Sequence, residues 1–314
     1  MSLLVTTPVG AEQTARPRNG VTQKRPQQGK RRRGPRGELL GLLPFASYLL
    51  LFLAVPTVLA VGSGFFTSAG GFTLDNVAAL ADPVIVATFA NSLWLSLLTA
   101  VLGAMIGALL CYALLGFRPD GPVRAIVAAL SGVLAQFGGI MLAFAFIATI
   151  GLQGLVTLWL RESFGIDIFA EGAWIYGLPG LVLPYIYFQV PLMVITFMPA
   201  LTALKPQWLE AALTLGGTRA AFWRKVALPV LAPSFFASLL LLFANAFSSY
   251  ATAAALASQG SQIVPLQIRT ALTSETVLGR ENLAGALALG MIVVMALVMW
   301  AYAVVQGRAA RWQK

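Results

Sequence analysis

The sequence has no histidine, a single cysteine, and charge on only 10% of its residues. Without histidine there is no imidazole base and no HxxH-type metal site, and one cysteine cannot form an intrachain disulfide. We interpret Cys111, which lies in an apolar run, as a packing residue. The chain also lacks a GxxxxGK[ST] phosphate loop, so any ATP that it depends on is bound by a separate polypeptide.

Apolar sequence is abundant, because 58% of the residues are hydrophobic. Soluble domains carry roughly 25% charged residues, so this composition indicates a membrane protein. Spanning a hydrocarbon core of about 30 Å takes about 20 apolar residues, and six stretches are long enough. We predict an all-α membrane protein with spans near 39–61, 90–116, 125–150, 178–200, 230–257 and 284–306.

The basic residues are unevenly distributed around these spans. Residues 1–37 contain nine of the 21 Lys and Arg residues, and their polar, Pro-rich composition predicts a disordered tail. With that tail in the cytoplasm, 18 of the 21 lie on the cytoplasmic side, as the positive-inside rule requires. We therefore predict that both termini are cytoplasmic, that 38–307 is one transmembrane domain and that 308–314 is a short tail. A nucleic-acid function would leave the spans unexplained.

Two features interrupt the apolar pattern of the third span and the connection after it. Gly138 and Gly139 lie inside the predicted span, where small residues commonly allow close helix packing. Leu152 to Leu160 is apolar but too short to cross a bilayer, and we predict an interfacial or half-inserted helix there.

A polar segment, residues 205–229, separates the fourth and fifth spans. Pro206 suits a first helical position, and Gly216 and Gly217 can end that helix in a turn with positive φ. Thr218 is a suitable N-cap for a second helix that ends at Val226, before the fifth span. The segment therefore predicts a helix–glycine–helix elbow. It either inserts into a groove of a partner protein or rests on the lipid headgroups as an amphipathic connector.

The same segment contains an EAA triplet, a glycine after three residues, and an aliphatic residue and Leu-Pro further on. The matching positions are Glu210, Ala211, Ala212, Gly216, Val226, Leu228 and Pro229. This pattern resembles the EAA loop of the permease subunits of binding-protein-dependent ABC importers, with Val226 where isoleucine is commoner. FTLDNVAALADP and NSLWLSLLTAV, between residues 72 and 101, also resemble the spermidine/putrescine branch of that family. The resemblance covers roughly residues 60–306.

The resemblance implies a six-helix type I importer fold in the bacterial plasma membrane. It implies that residues 205–229, called the coupling segment from here on, dock on a cytoplasmic ATPase, with Glu210 and Gly216 central to the contact. The chain would be a transport subunit with no catalytic residue, metal or bound cofactor, because the partner ATPase binds ATP and Mg. The implied partners are two ATPase subunits, a second permease, identical or different, and an extracytoplasmic solute-binding protein.

The translocation pathway and the solute are less sharply indicated. The polar residues that we expect to line the pathway are Asn245, Ser248, Ser249, Tyr250, Gln136 and Gln189. Interhelical hydrogen bonding is the alternative role of such residues. The resemblance favours a small polar solute of the polyamine type, while phosphonate, thiamine, ferric ion and sugars remain open.

Two other classes of membrane protein compete with the importer interpretation. A secondary transporter or channel commonly has acidic, basic or His residues inside the bilayer, whereas the six predicted spans contain no Asp, Glu, Lys, Arg or His. An intramembrane enzyme would need a base or a metal site, and the spans offer neither histidine nor carboxylate.

Overall fold

The computed structural model describes residues 35–67, 70–257, 263–273 and 282–311. The predicted all-α class is confirmed, since the only β feature of the described residues is an isolated bridge between Phe66 and Phe72. The α-helices, numbered in chain order, are α1 Pro35–Leu49, α2 Val55–Ser63, α3 Asp75–Ala78, α4 Pro83–Leu114, α5 Pro122–Gln136, α6 Ile140–Ile150, α7 Leu155–Phe164, α8 Val182–Thr202, α9 Pro206–Thr214, α10 Arg219–Phe222, α11 Leu228–Phe247, α12 Ala251–Leu256, α13 Val264–Thr273 and α14 Leu283–Arg311. Residues 1–34 of the predicted tail lie outside the described residues, and α1 begins at Pro35, within the range predicted as tail.

Six stretches of the described chain are long and apolar enough to cross a membrane, which confirms the predicted number. They are Leu42–Ser63, Pro83–Leu114, Ile140–Phe164, Leu178–Thr202, Arg219–Phe247 and Leu283–Val304. The second starts seven residues before its predicted beginning, because Asp82 caps α4 by accepting a hydrogen bond from the N–H of Val84. The cytoplasmic placement of the termini stays a prediction.

The predicted third span, 125–150, is wrong. Gly139, whose φ of 74° is incompatible with an α-helix, separates α5 from α6. The stretch long enough to cross a membrane is Ile140–Phe164, which includes Leu152–Leu160, and α5 is a shorter apolar helix. The predicted fifth span, 230–257, is divided in the same way into α11 and α12, with a break at 248–250. At the start of that break both the N–H and the hydroxyl of Ser248 donate to the carbonyl of Ala244.

The chain divides into two compact units, one ending at Phe52 and one starting at Leu53. The prediction of one transmembrane domain over 38–307 stays a prediction. In the first apolar stretch every residue from Leu42 to Ala60 is exposed. A helix that is apolar all round and buries none of these side chains is suited to contact with lipid.

Two π-helical turns interrupt the α-helical geometry, at Leu50–Ala54 and at Trp223–Ala227. Each ends two residues before a proline, Pro56 in one case and Pro229 in the other. Proline has no N–H to donate to the residue four positions back, so the preceding turn widens to a longer hydrogen bond. In the second turn the N–H of Leu228 donates to the carbonyl of Trp223. The second helix of the coupling segment therefore runs directly into the fifth span and does not end at Val226.

In the larger unit, α4 and α8 are in close contact. A Cβ atom added at Gly103 would lie 2.7 Å from the Cβ of Gln189, and one at Gly107 would lie 2.5 Å from the Cβ of Met193. Small residues of α4 thus face α8, and Cys111 is buried on the same side, while large residues such as Leu109 are exposed. Small residues at the helix contact and large apolar residues on the outer surface are typical of helices packed in lipid.

Candidate functional site

Helix α9 is defined at both ends by local signals of the sequence. It begins at Pro206, and it ends in a Schellman motif in which Gly217 donates to the carbonyl of Ala212 and Gly216 donates to that of Leu213. Gly216 has a φ of 80°, which glycine adopts without strain. The predicted glycine turn is confirmed. So is the predicted N-cap, because the hydroxyl of Thr218 accepts from the N–H of Ala221.

The side chains of α9 are largely free of contact with the rest of the described chain. None of them is buried, and Glu210 and Ala211 are exposed, while Leu209 and Ala212 are half-buried. The helix is followed by Leu215, whose side chain is 88% exposed. α9 and the residue after it thus form a short amphipathic segment with an exposed acid and exposed apolar side chains.

The remaining residues of the EAA pattern lie elsewhere. Val226 is in the π-turn, and Leu228 and Pro229 begin α11. These three residues therefore connect the coupling segment to the fifth span. Glu210 and Gly216 belong to the exposed part of the coupling segment. The structure divides the seven predicted residues between these two places.

A second candidate region lies where the two broken spans meet. The N–H of Gly139, at the start of α6, donates to the hydroxyl of Thr252 in α12 over 3.0 Å. The hydroxyl of Tyr185 in α8 donates to the carbonyl of Ser249, in the break between α11 and α12, over 3.0 Å. Both breaks are thus fixed by hydrogen bonds between residues that are distant in sequence.

Polar side chains of α4 and α8 lie between two hydrophobic clusters. One cluster includes Leu95 and Phe188, and the other includes Ala100 and Met193. Between them along the two helices lie three buried side chains, called the polar layer: Ser96, Thr99 and Gln189. The Nε2 of Gln189 donates to the hydroxyl of Thr99 over 2.8 Å, whereas its Oε1 has no hydrogen-bond partner.

The six predicted pathway residues do not come together in one cavity. Ser248 and Tyr250 line a cavity of about 400 Å³ together with Arg269 and Thr273. Asn245 and Gln136 are exposed, Ser249 is half-buried, and Gln189 is fully buried between α4 and α8. Interhelical hydrogen bonding is therefore the role that Gln189 has in this structure.

Two residues of this region carried too weak a signal for sequence reasoning to select them as site residues. Thr99 is one hydroxyl among several in an apolar helix, and it is singled out only by its bond to Gln189, 90 positions away. Thr252 belongs to a visible polar run, but its role depends on Gly139, 113 positions away.

Charged residues pair in the loop after α7. The guanidinium of Arg161 donates to the carboxylate of Asp167, and the N–H of Phe169 donates to its other oxygen. The hydrogen bond from Arg161, followed by that from Phe169, lowers the pKa of Asp167 below its ordinary value. Asp167 is therefore ionised at neutral pH. The described residues contain no group of three His, Cys, Asp or Glu side chains able to hold a metal.

Residues 164–311 match the model of the family described as binding-protein-dependent transport system inner membrane component. The chain is 27% identical over 262 residues to a probable ABC transporter permease protein, y4fN, of Sinorhizobium fredii, covering 83% of this chain and 44% of that protein. It is 25% identical over 169 residues to the sulfate transport system permease protein CysT of Salmonella typhimurium, covering 54% of this chain and 58% of that protein. The chain thus spans about half the length of these curated relatives. Others at 25–27% identity are named for trehalose, spermidine/putrescine and ferric transport.

A solved structure has the same fold. One chain of a bacterial ABC transporter involved in the import of the acidic polysaccharide alginate matches with a TM-score of 0.66 and 19% identity. The match covers 89% of this chain and 97% of that chain.

Proposed function

We propose that the chain is the permease subunit of an ATP-driven importer, and the match of residues 164–311 to the family described as binding-protein-dependent transport system inner membrane component supports this. The observation that carries this proposal is α9, a helix with no buried side chain that is firmly capped and joined to the fifth span. In this function α9 docks on a cytoplasmic ATPase subunit. The ATPase binds ATP and Mg, and the permease contributes no catalytic residue.

The proposed assembly contains two ATPase subunits, a second permease and an extracytoplasmic solute-binding protein in the bacterial plasma membrane. Closure of the ATPase subunits would draw the docking helices together and rock the spans between inward-facing and outward-facing forms. The region in which the two broken spans meet, at Gly139 and Thr252, is where we place the pathway.

The solute that we propose is small and polar. The resemblance of the second span and its outer loop favours a polyamine, but relatives at similar identity are named for sulfate, trehalose and ferric transport as well. Ser248 and Tyr250, which line a cavity of about 400 Å³ with Arg269 and Thr273, offer hydroxyl groups to such a solute. Uptake of labelled spermidine in cells, with and without excess sulfate or trehalose, distinguishes these solutes.

Docking is tested by reversing the charge of Glu210, which is exposed on α9. We expect Glu210→Arg to reach the membrane normally, to lose the co-purifying ATPase and to abolish uptake. Glu162→Arg is a matched control, because Glu162 is also an exposed helical acid but lies on α7. It should keep the ATPase. Unchanged ATPase retention in Glu210→Arg would show that α9 is not the docking site.

A further inference from the structure

The coupling segment meets the second span through an aromatic contact. Tyr112 lies in the last turn of α4, and Trp223 is the first residue of the π-turn. Their rings are 5.2 Å apart between centroids and lie at 77°, an edge-to-face arrangement that the ring quadrupoles favour. This contact joins residues that are more than 100 positions apart in sequence.

Around this contact the coupling segment is attached loosely. A cavity of about 500 Å³ lies between Leu209 and Arg219 on one side and the end of α4 on the other. Trp223 and Tyr112 line the same cavity. At this cavity the coupling segment is separated from α4 except at the contact between Trp223 and Tyr112.

Beyond Tyr112 the packing is tight. Cys111 is buried with its sulfur 4.0 Å from the carbonyl of Val194 in α8, and Gly107 leaves no room for a Cβ beside Met193. A close-packed helix pair moves as a unit, since it has little free volume to absorb a displacement. The same pair holds the hydrogen bond between Thr99 and Gln189. A movement of the end of α4 therefore also displaces the polar layer.

We propose that the Tyr112–Trp223 contact is the link through which movement of the coupling segment reaches α4 and the polar layer. Both are then positioning residues for transport. This inference rests on the proposed function, because it requires an ATPase at α9. Interfacial aromatic residues can also anchor a protein in the bilayer. An anchor would affect membrane insertion, whereas a link affects how much solute moves for each ATP hydrolysed.

The experiment uses the whole importer, reconstituted in liposomes, and measures solute moved per ATP hydrolysed together with retention of the ATPase. The ring-deleting variants are Tyr112→Ala, Trp223→Ala and their combination, and Trp223→Leu keeps apolar bulk without a ring. Tyr112→Phe and Trp223→Phe keep the ring contact as controls.

We expect the ring-deleting variants to retain the ATPase and hydrolyse ATP but to move about threefold to tenfold less solute per ATP, the range of one aromatic pair. The double variant should be no worse than the single ones, and the two Phe variants should match the unmodified protein. Unchanged solute per ATP in Trp223→Leu, or independent effects that multiply in the double variant, would overturn the link. If the unmodified chain retains no ATPase, the proposed function fails together with the link.

Discussion

The backbone N–H of Gly139 donates to the hydroxyl of Thr252 over 3.0 Å, so the break in the third span is tied to the short helix that follows the break in the fifth. The break between α11 and α12 is also held from α8, because the hydroxyl of Tyr185 donates to the carbonyl of Ser249. Both breaks are therefore held by hydrogen bonds to other helices.

The tie between the breaks predicts a specific sensitivity at Thr252. Thr252→Val keeps the shape of the side chain but leaves the N–H of Gly139 without an acceptor, which costs about 1–3 kcal/mol. We expect a lower unfolding temperature of the purified protein in detergent. Thr252→Ser keeps the hydroxyl and should unfold at a higher temperature than Thr252→Val. Equal unfolding temperatures for the two variants would contradict the role of this hydrogen bond.

The contact of α4 with α8 predicts that Gly107 does not tolerate a larger side chain. Gly107→Val would place a Cβ within 2.5 Å of that of Met193, and overpacking of this kind costs about 1–3 kcal/mol. The expected result is a lower unfolding temperature and less protein in the membrane fraction. Gly132→Ala is the control, because no atom lies within 4 Å of the added Cβ. Its stability should be unchanged or higher.

The polar layer predicts an asymmetry between the two partners of one hydrogen bond. Thr99→Val removes the acceptor of the Gln189 amide and leaves the whole buried carboxamide unsatisfied, at about 1–3 kcal/mol. Gln189→Met removes the carboxamide with its unpartnered Oε1 and leaves Thr99 bonded to the carbonyl of Leu95. Thermal unfolding should rank Thr99→Val as the less stable variant. The opposite ranking would mean that Oε1 finds a partner in solution.

The arrangement in the membrane is tested with single cysteines in a Cys111→Ala background. We expect an impermeant maleimide added to intact cells to label a cysteine at Leu74, which is 57% exposed in the connection before α4. Cysteines at Gly20 and Gln313 should react only after the membrane is opened. Labelling of one terminus but not the other in intact cells would refute an even number of crossings.

Features with local causes could be predicted from the sequence. Pro206, Gly216 and Thr218 define the ends of two helices because proline, glycine and threonine act within a few residues of their own position. The number of apolar stretches follows in the same way from length and composition. The prediction that the second helix of the coupling segment ends at Val226 was wrong. Proline at position 229 suits a helix start, but it also permits the π-turn that joins the second helix to the fifth span.

Features that depend on distant partners could not be predicted. Gly138 and Gly139 read as small packing residues, and only the bond from Gly139 to Thr252 shows that the helix ends there. Gln189 read as a pathway residue because a polar side chain in an apolar span has two possible roles. Its environment of α4 residues, supplied by a different span, decides between them.

The π-turn at Trp223–Ala227 also changes the rotation of the coupling segment about the axis of the fifth span. A π-turn accommodates one residue more than an α-helical turn, and each residue corresponds to about 100° of rotation. Side chains counted at helical spacing from α10 therefore fall on a different face of α11 than an unbroken helix would give them. Removing one residue from this turn would leave both helices intact and nearly as long, but would rotate α9 and α10 about the axis of the span. The orientation of the docking face is thus set by a single inserted residue.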